Sequence, residues 1–201
     1  METTAAEMRA EIAGERRELA DVLDGLTDEQ WDAPSLCDGW RVREVAGHMS
    51  MGFRYAFGST ALELARARGN LHRMTDRLAR RDAAALTPRE LAAALRDNAH
   101  HPWKPPVGGL ETALGHDVIH GLDITVPLGL GRRVPEKRLR ILLETVTPRT
   151  IRFFKADLEG VTLRATDLDW SYGTGAGARV ESRPAQELLL LAYGRTLPRP
   201  A

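Results

Sequence analysis

Leu110-Glu111-Thr112-Ala113-Leu114-Gly115-His116-Asp117-Val118-Ile119-His120-Gly121-Leu122-Asp123 reads as a helix with two unlike faces. At about 100° per residue, His116 and His120 lie roughly 40° apart on one stripe, and Asp123 follows one turn later. Leu110, Leu114, Val118 and Leu122 form the opposite, apolar side. An i, i+4 pair of imidazoles can aim two ring nitrogens at one metal ion. The same spacing also occurs where two boundary histidines have unrelated partners, so both readings stay open on this stretch alone. A zincin carries Glu directly after the first His; here Asp117 stands there, which argues against a metalloprotease.

His48 is the candidate third ligand. It lies on a second helical stretch, beginning near Val42, on a face with Val45, Gly52 and Tyr55. Gly52, one turn on, leaves space beside the ring. The competing reading is a core histidine satisfied by its neighbours.

The rest of the chain supplies helices to pack around these two. Residues 4–25 place Met8, Ile12, Leu19, Val22 and Leu23 at helical spacing among charges. Thr27 with Gln30 resembles a capping box for a short turn through Trp31, and Thr87-Pro88-Arg89-Glu90 is a strong helix start. Helices are expected over about 4–25, 42–66, 88–100 and 110–126, the last stopped by Pro127. Pro135 opens a further helix, and Pro148 kinks or restarts it. After Gly160 the period changes to two: Val161, Leu163 and Ala165 alternate with polar residues. Residues 161–182 are expected to form an antiparallel hairpin turning at Gly173 to Gly177, packed by a helix over 184–193 with Gly194 as its C-cap. The fold class is mainly α: a helical bundle over 1–158 and a small C-terminal α+β unit over 159–201.

Composition narrows the function classes. Of 201 residues, 43% are hydrophobic, enough for a real core. Lys+Arg and Asp+Glu are 28 each, a balance that argues against a nucleic-acid binder. The one cysteine, Cys37, can form no internal disulfide and no Cys-rich zinc cluster. No signal peptide and no apolar run of about 18 residues is evident, so no membrane association and a cytoplasmic location are expected.

Trp31-Asp32-Ala33-Pro34-Ser35-Leu36-Cys37-Asp38-Gly39-Trp40-Arg41-Val42-Arg43-Glu44-Val45-Ala46-Gly47-His48 resembles the signature of the mycothiol-dependent maleylpyruvate isomerase family, within the DinB-like metal-binding four-helix bundles. The likeness continues at His116 to Asp123, at Val161 to Trp170 and at Leu188 to Arg195. The resemblance implies that His48, His116 and His120 ligate a divalent metal, zinc first, with nickel or iron as alternatives. It departs from the isomerase at His116, where that enzyme has Glu. The exchange makes the protein ligand set neutral, which strengthens the ion as a Lewis acid and puts the specific isomerase reaction in question. The C-terminal unit is also short, at about 40 residues.

The implied activity is that of a thiol-dependent transferase or isomerase. A low-molecular-weight thiol such as mycothiol would take the metal's open position and attack a small electrophilic substrate. The alternative is a DinB-like metal-binding protein without thiol chemistry, either a hydrolase or a stress-response or binding module. Arg195 is the candidate catalytic residue, placed to reach an acidic substrate; its other reading is a helix-dipole partner. Asp123 either orients a ligand imidazole or serves as a cap or salt-bridge partner. Cys37 reads as a packing residue, as do Trp31 and Trp40. Either a monomer or a homodimer fits.

Overall fold

The structure is a computed structural model that describes residues 3–105, 108–173 and 179–197. Among the described residues the helices are α1 (Ala5–Asp24), α2 (Asp28–Asp32), α3 (Val42–Arg54), α4 (Phe57–Arg66), α5 (Leu71–Ala85), α6 (Pro88–Asp97), α7 (Leu110–Thr125), α8 (Glu136–Glu144), α9 (Pro148–Phe153) and α10 (Ala185–Ala192). Strands β1 (Val161–Ala165), β2 (Ser171–Tyr172) and β3 (Arg179–Arg183) precede α10. The chain divides into two compact units, Met1–Leu128 and Gly129–Ala201. The boundary therefore lies earlier than the expected 158/159: α8 packs against α10 and goes with the C-terminal unit.

The first unit is a helical bundle. Helix α1 packs on α6 and α7, and α3 packs on α5, α6 and α7. Thr4 with Glu7, Thr27 with Gln30 and Thr87 with Glu90 form complete capping boxes, each satisfying backbone N–H groups at a helix start. Leu19, Leu23, Val45, Met49, Leu91, Leu95 and Ile124 meet with Trp31 in the core. Each fully buried Leu contributes about 1.5–3 kcal/mol.

Two expected helices end early, for tertiary reasons. The 42–66 stretch breaks at Tyr55–Ala56 into α3 and α4. Leaving the helix turns the Tyr55 ring toward α5, where its hydroxyl donates to Asp82 Oδ1 at 2.5 Å and accepts from Arg81. Burial and the bond to Asp82 raise the Tyr55 pKa above the ordinary phenol value. Helix α6 stops at Asp97 rather than near 100, because the carbonyls of Asn98, Ala99 and His101 are taken by the Arg16 guanidinium of α1.

The C-terminal unit corrects the expected topology. Strand order is β2-β1-β3, with β1 antiparallel to β2 and parallel to β3. The hairpin thus spans 161–172, and β3 is not its return strand. Of the expected turn over 173–177, residues 174–177 lie outside the described residues. Buried Leu163 sits at the centre, opposite Tyr172 on one side and Glu181 on the other. Asp167 accepts from the Ala185 amide and so caps α10, which packs on β1. At the other end, Gly194 (φ 74°) and Arg195 donate to the carbonyls of Leu191 and Leu190. That is a Schellman closure, and it needs the left-handed residue that glycine supplies.

Candidate metal centre

His48 comes from α3, and His116 and His120 come from successive turns of α7. The two helices pack directly, and the three rings meet: centroid separations are 5.1 Å for His48–His116, 4.9 Å for His48–His120 and 4.8 Å for His116–His120. One potential ligand atom from each lies within 4.8 Å of the others. The Nε2 atoms of His48 and His116 face each other at 3.3 Å. Two nitrogen donors at zinc–nitrogen bond lengths around a tetrahedral ion lie ~3.3–3.4 Å apart. The residues present therefore fit a single small divalent cation.

The supports of the two α7 histidines explain which nitrogen points inward. His116 Nδ1 is 2.9 Å from Asp117 Oδ1, and His120 Nδ1 is 2.9 Å from Asp123 Oδ2. An ionised carboxylate only accepts hydrogen bonds, so each Nδ1 carries the proton and each Nε2 keeps its lone pair. Carboxylate–imidazole pairs of this kind fix ring orientation and raise ligand basicity. Both aspartates are fully buried, while the two imidazoles are 11% and 14% exposed. Helix α7 is consequently buried nearly all round, not on its leucine side alone.

Four features of the site escape the sequence reading. Asp117, set aside there as the wrong residue for a zincin, carries His116 and also accepts from Arg16 Nε at 2.7 Å, both side chains being wholly buried. Arg16 occupies the apolar stripe of α1 between Ile12 and Leu19; a charge on such a stripe is the signal that could have found it. Cys37 donates from Sγ to Asp123 Oδ2 at 3.0 Å and lies 3.7 Å from His120 Nδ1. The thiol is thus part of the surroundings of the site. Finally, the space at Gly52 is filled by the Trp103 indole: a Cβ there would overlap the ring. That indole stands edge-on to His116, 5.1 Å between centroids.

The loop before α3 delivers two of these groups. A bridge between Pro34 and Arg41 closes it, and Ser35 Oγ donates to the Trp40 carbonyl. The Leu36 amide donates to the Asp123 carbonyl on α7 at 2.9 Å, which sets Cys37 against Asp123. Trp40 lies 5.2 Å from His48 and donates its indole N–H to Asp76. At the loop's base Arg41 grips Glu44. Burial pushes the Glu44 carboxyl up, but the hydrogen bonds and charge of Arg41 outweigh it and hold the pKa below the ordinary value.

Arg195 belongs to the C-terminal unit. Its Nη1 donates to the Tyr193 carbonyl at the end of α10, the helix-end contact. No helix among the described residues is long and apolar enough to cross a membrane.

Residues 12–101 match the family model of the mycothiol maleylpyruvate isomerase N-terminal domain. The matched segment contains His48 and ends before the helix that carries His116 and His120. Neither a curated protein nor a solved structure gives a match.

Proposed function

We propose that this protein, whose residues 12–101 match the family model of the mycothiol maleylpyruvate isomerase N-terminal domain, is a metal-dependent enzyme of thiol chemistry, a transferase or isomerase acting on a small electrophile. The observation that carries the reading is the 3.3 Å approach of the His48 and His116 Nε2 atoms. Two imidazole nitrogens with lone pairs facing each other repel unless a cation or a proton lies between them. Zinc fits the set of three imidazoles, with nickel and iron as alternatives. The ion, when bound, supplies a Lewis acid that lowers the pKa of a coordinated low-molecular-weight thiol such as mycothiol.

The chain's own residues do the rest. Asp117 and Asp123 hold the Nδ1 protons of His116 and His120 and keep both rings turned inward. Trp40 and Trp103 flank His48 and His116 and supply apolar walls. Three neutral imidazoles would leave the charge of the ion unneutralised by the groups bonded to it, which favours an anionic thiolate. Arg195 of the C-terminal unit is proposed as a group for an acidic substrate, beside its contact with the Tyr193 carbonyl.

Elemental analysis tests the reading first, on protein purified without added metal or a metal-chelating tag. About one equivalent of metal per chain is expected; none would overturn it. Depletion of a model electrophile such as a maleyl or haloaromatic compound should then require both the metal and an added thiol. Turnover of an ester or amide by the metal-loaded protein without thiol would instead identify a hydrolase.

A further inference from the structure

We propose that Arg16 is the positioning residue of the metal centre, setting His116 through two supports at once. The proposal rests on the metal reading above and concerns a residue that touches no ligand. Its guanidinium is fully buried and forks in two directions. One arm is Nε, which donates to Asp117 Oδ2 at 2.7 Å, while Asp117 Oδ1 holds His116 Nδ1 at 2.9 Å. The other arm is Nη1, which donates to the His101 carbonyl at 2.8 Å and to those of Asn98 and Ala99 at 3.3 and 3.4 Å. Nη2 reaches the Trp103 carbonyl at 3.5 Å. The segment gripped by this arm ends in the indole that stands edge-on to His116.

Three physical facts make Arg16 more than a core brace. A buried aspartate without its guanidinium is a costly, uncompensated charge, so Asp117 would leave its place against His116. That displacement removes the acceptor that selects the Nδ1–H form of His116 and keeps its Nε2 free to ligate. Lysine can replace it only in part, because one ammonium lacks the planar fork that serves a carboxylate and several carbonyls together. The Arg16 guanidinium also lies 4.7 Å over the Phe53 ring of α3, so its orientation is locked from the His48 helix as well.

The test compares the full chain with Arg16→Met, Arg16→Lys and a control, Leu95→Ala, which destabilises the core without touching the site. Two quantities are read: cobalt(II) affinity with its visible spectrum, and the His116 tautomer by imidazole nitrogen NMR of the metal-free protein. Arg16→Met should weaken cobalt binding 10–100-fold, alter the spectrum and mix the His116 tautomers. Arg16→Lys should fall between it and the parent, and Leu95→Ala should match the parent in both readouts. A folded Arg16→Met protein with parental affinity and tautomer overturns the proposal. If Arg16→Met fails to fold, Arg16→Lys decides, and parental values there overturn it equally. If the parent itself binds no cobalt, the metal reading fails, while the tautomer comparison still decides the role of Arg16.

Discussion

His116 and His120 stand one turn apart on α7, and each leans its Nδ1 on a buried aspartate, yet the two supports are built from different materials. Asp117 is paired with a guanidinium inside the bundle, from a helix 101 positions away in sequence. Asp123 is met by a neutral thiol on a loop whose neighbouring amide is tied to α7 by a single backbone hydrogen bond. One side of the site is a charge pair sealed in the core. The other is a neutral contact delivered by a turn. A site made this way holds one histidine rigidly and leaves the other dependent on a loop that solvent can reach.

The largest expected effect tests whether the two histidines serve one ion at all. His116→Ala and His120→Ala should each abolish stoichiometric metal retention, measured by elemental analysis, with His72→Ala unchanged. Stripping the metal with a chelator should lower Tm; at a free ion concentration 1,000 times Kd the linked stabilisation is about 4 kcal/mol. If either His→Ala protein keeps a full equivalent, the shared site is wrong.

Next comes the asymmetry itself. Asp117→Asn leaves Arg16 as an uncompensated buried charge and should cost about 3–5 kcal/mol in chemical denaturation. Asp123→Asn replaces a charged acceptor by a neutral amide oxygen, weakens the two hydrogen bonds from His120 and Cys37, and should cost about 1–3 kcal/mol. Equal losses would erase the distinction between the two supports.

Gly52→Ala probes the His116 side from the opposite wall. The new methyl must displace the Trp103 indole, for a cost of about 1–3 kcal/mol and a changed tryptophan emission. Unchanged emission would mean that the indole does not occupy that gap in solution.

The smallest effect is a pH dependence on the His120 side, where the Arg41–Glu44 pair braces the loop carrying Cys37. The folded-state pKa of Glu44 is depressed, so its contribution is present above the ordinary Glu value of about 4.3 and is lost as pH falls below it toward the folded value. Arg41 is half exposed, so the contribution is under about 1 kcal/mol. Amide exchange at Leu36 should speed up on acidification over that range, and Glu44→Gln should remove the dependence. If the Leu36 amide is equally protected at either end of that range, the brace does not act on the loop.

What the sequence determined by itself are the features written in neighbouring residues. The capping boxes at Thr27 and Thr87, the helical stripes of α1 and α7, the Gly194 closure and the one-turn spacing of His116 and His120 all depend on contacts within a few positions. Backbone hydrogen bonding and helical period put them into local sequence. The tertiary structure decided what depends on pairs distant along the chain. His48 meets His116 across 68 positions, Arg16 meets Asp117 across 101, and Cys37 meets Asp123 across 86. The charge on the α1 stripe flags Arg16 but not its partner, and helical period alone pairs none of these residues, because partners are chosen by how helices pack and not by the helix each belongs to. The direction of β3 was settled the same way. Alternation shows which face of a strand is buried, but not whether its neighbour runs with it or against it, since both pairings use the same side-chain period.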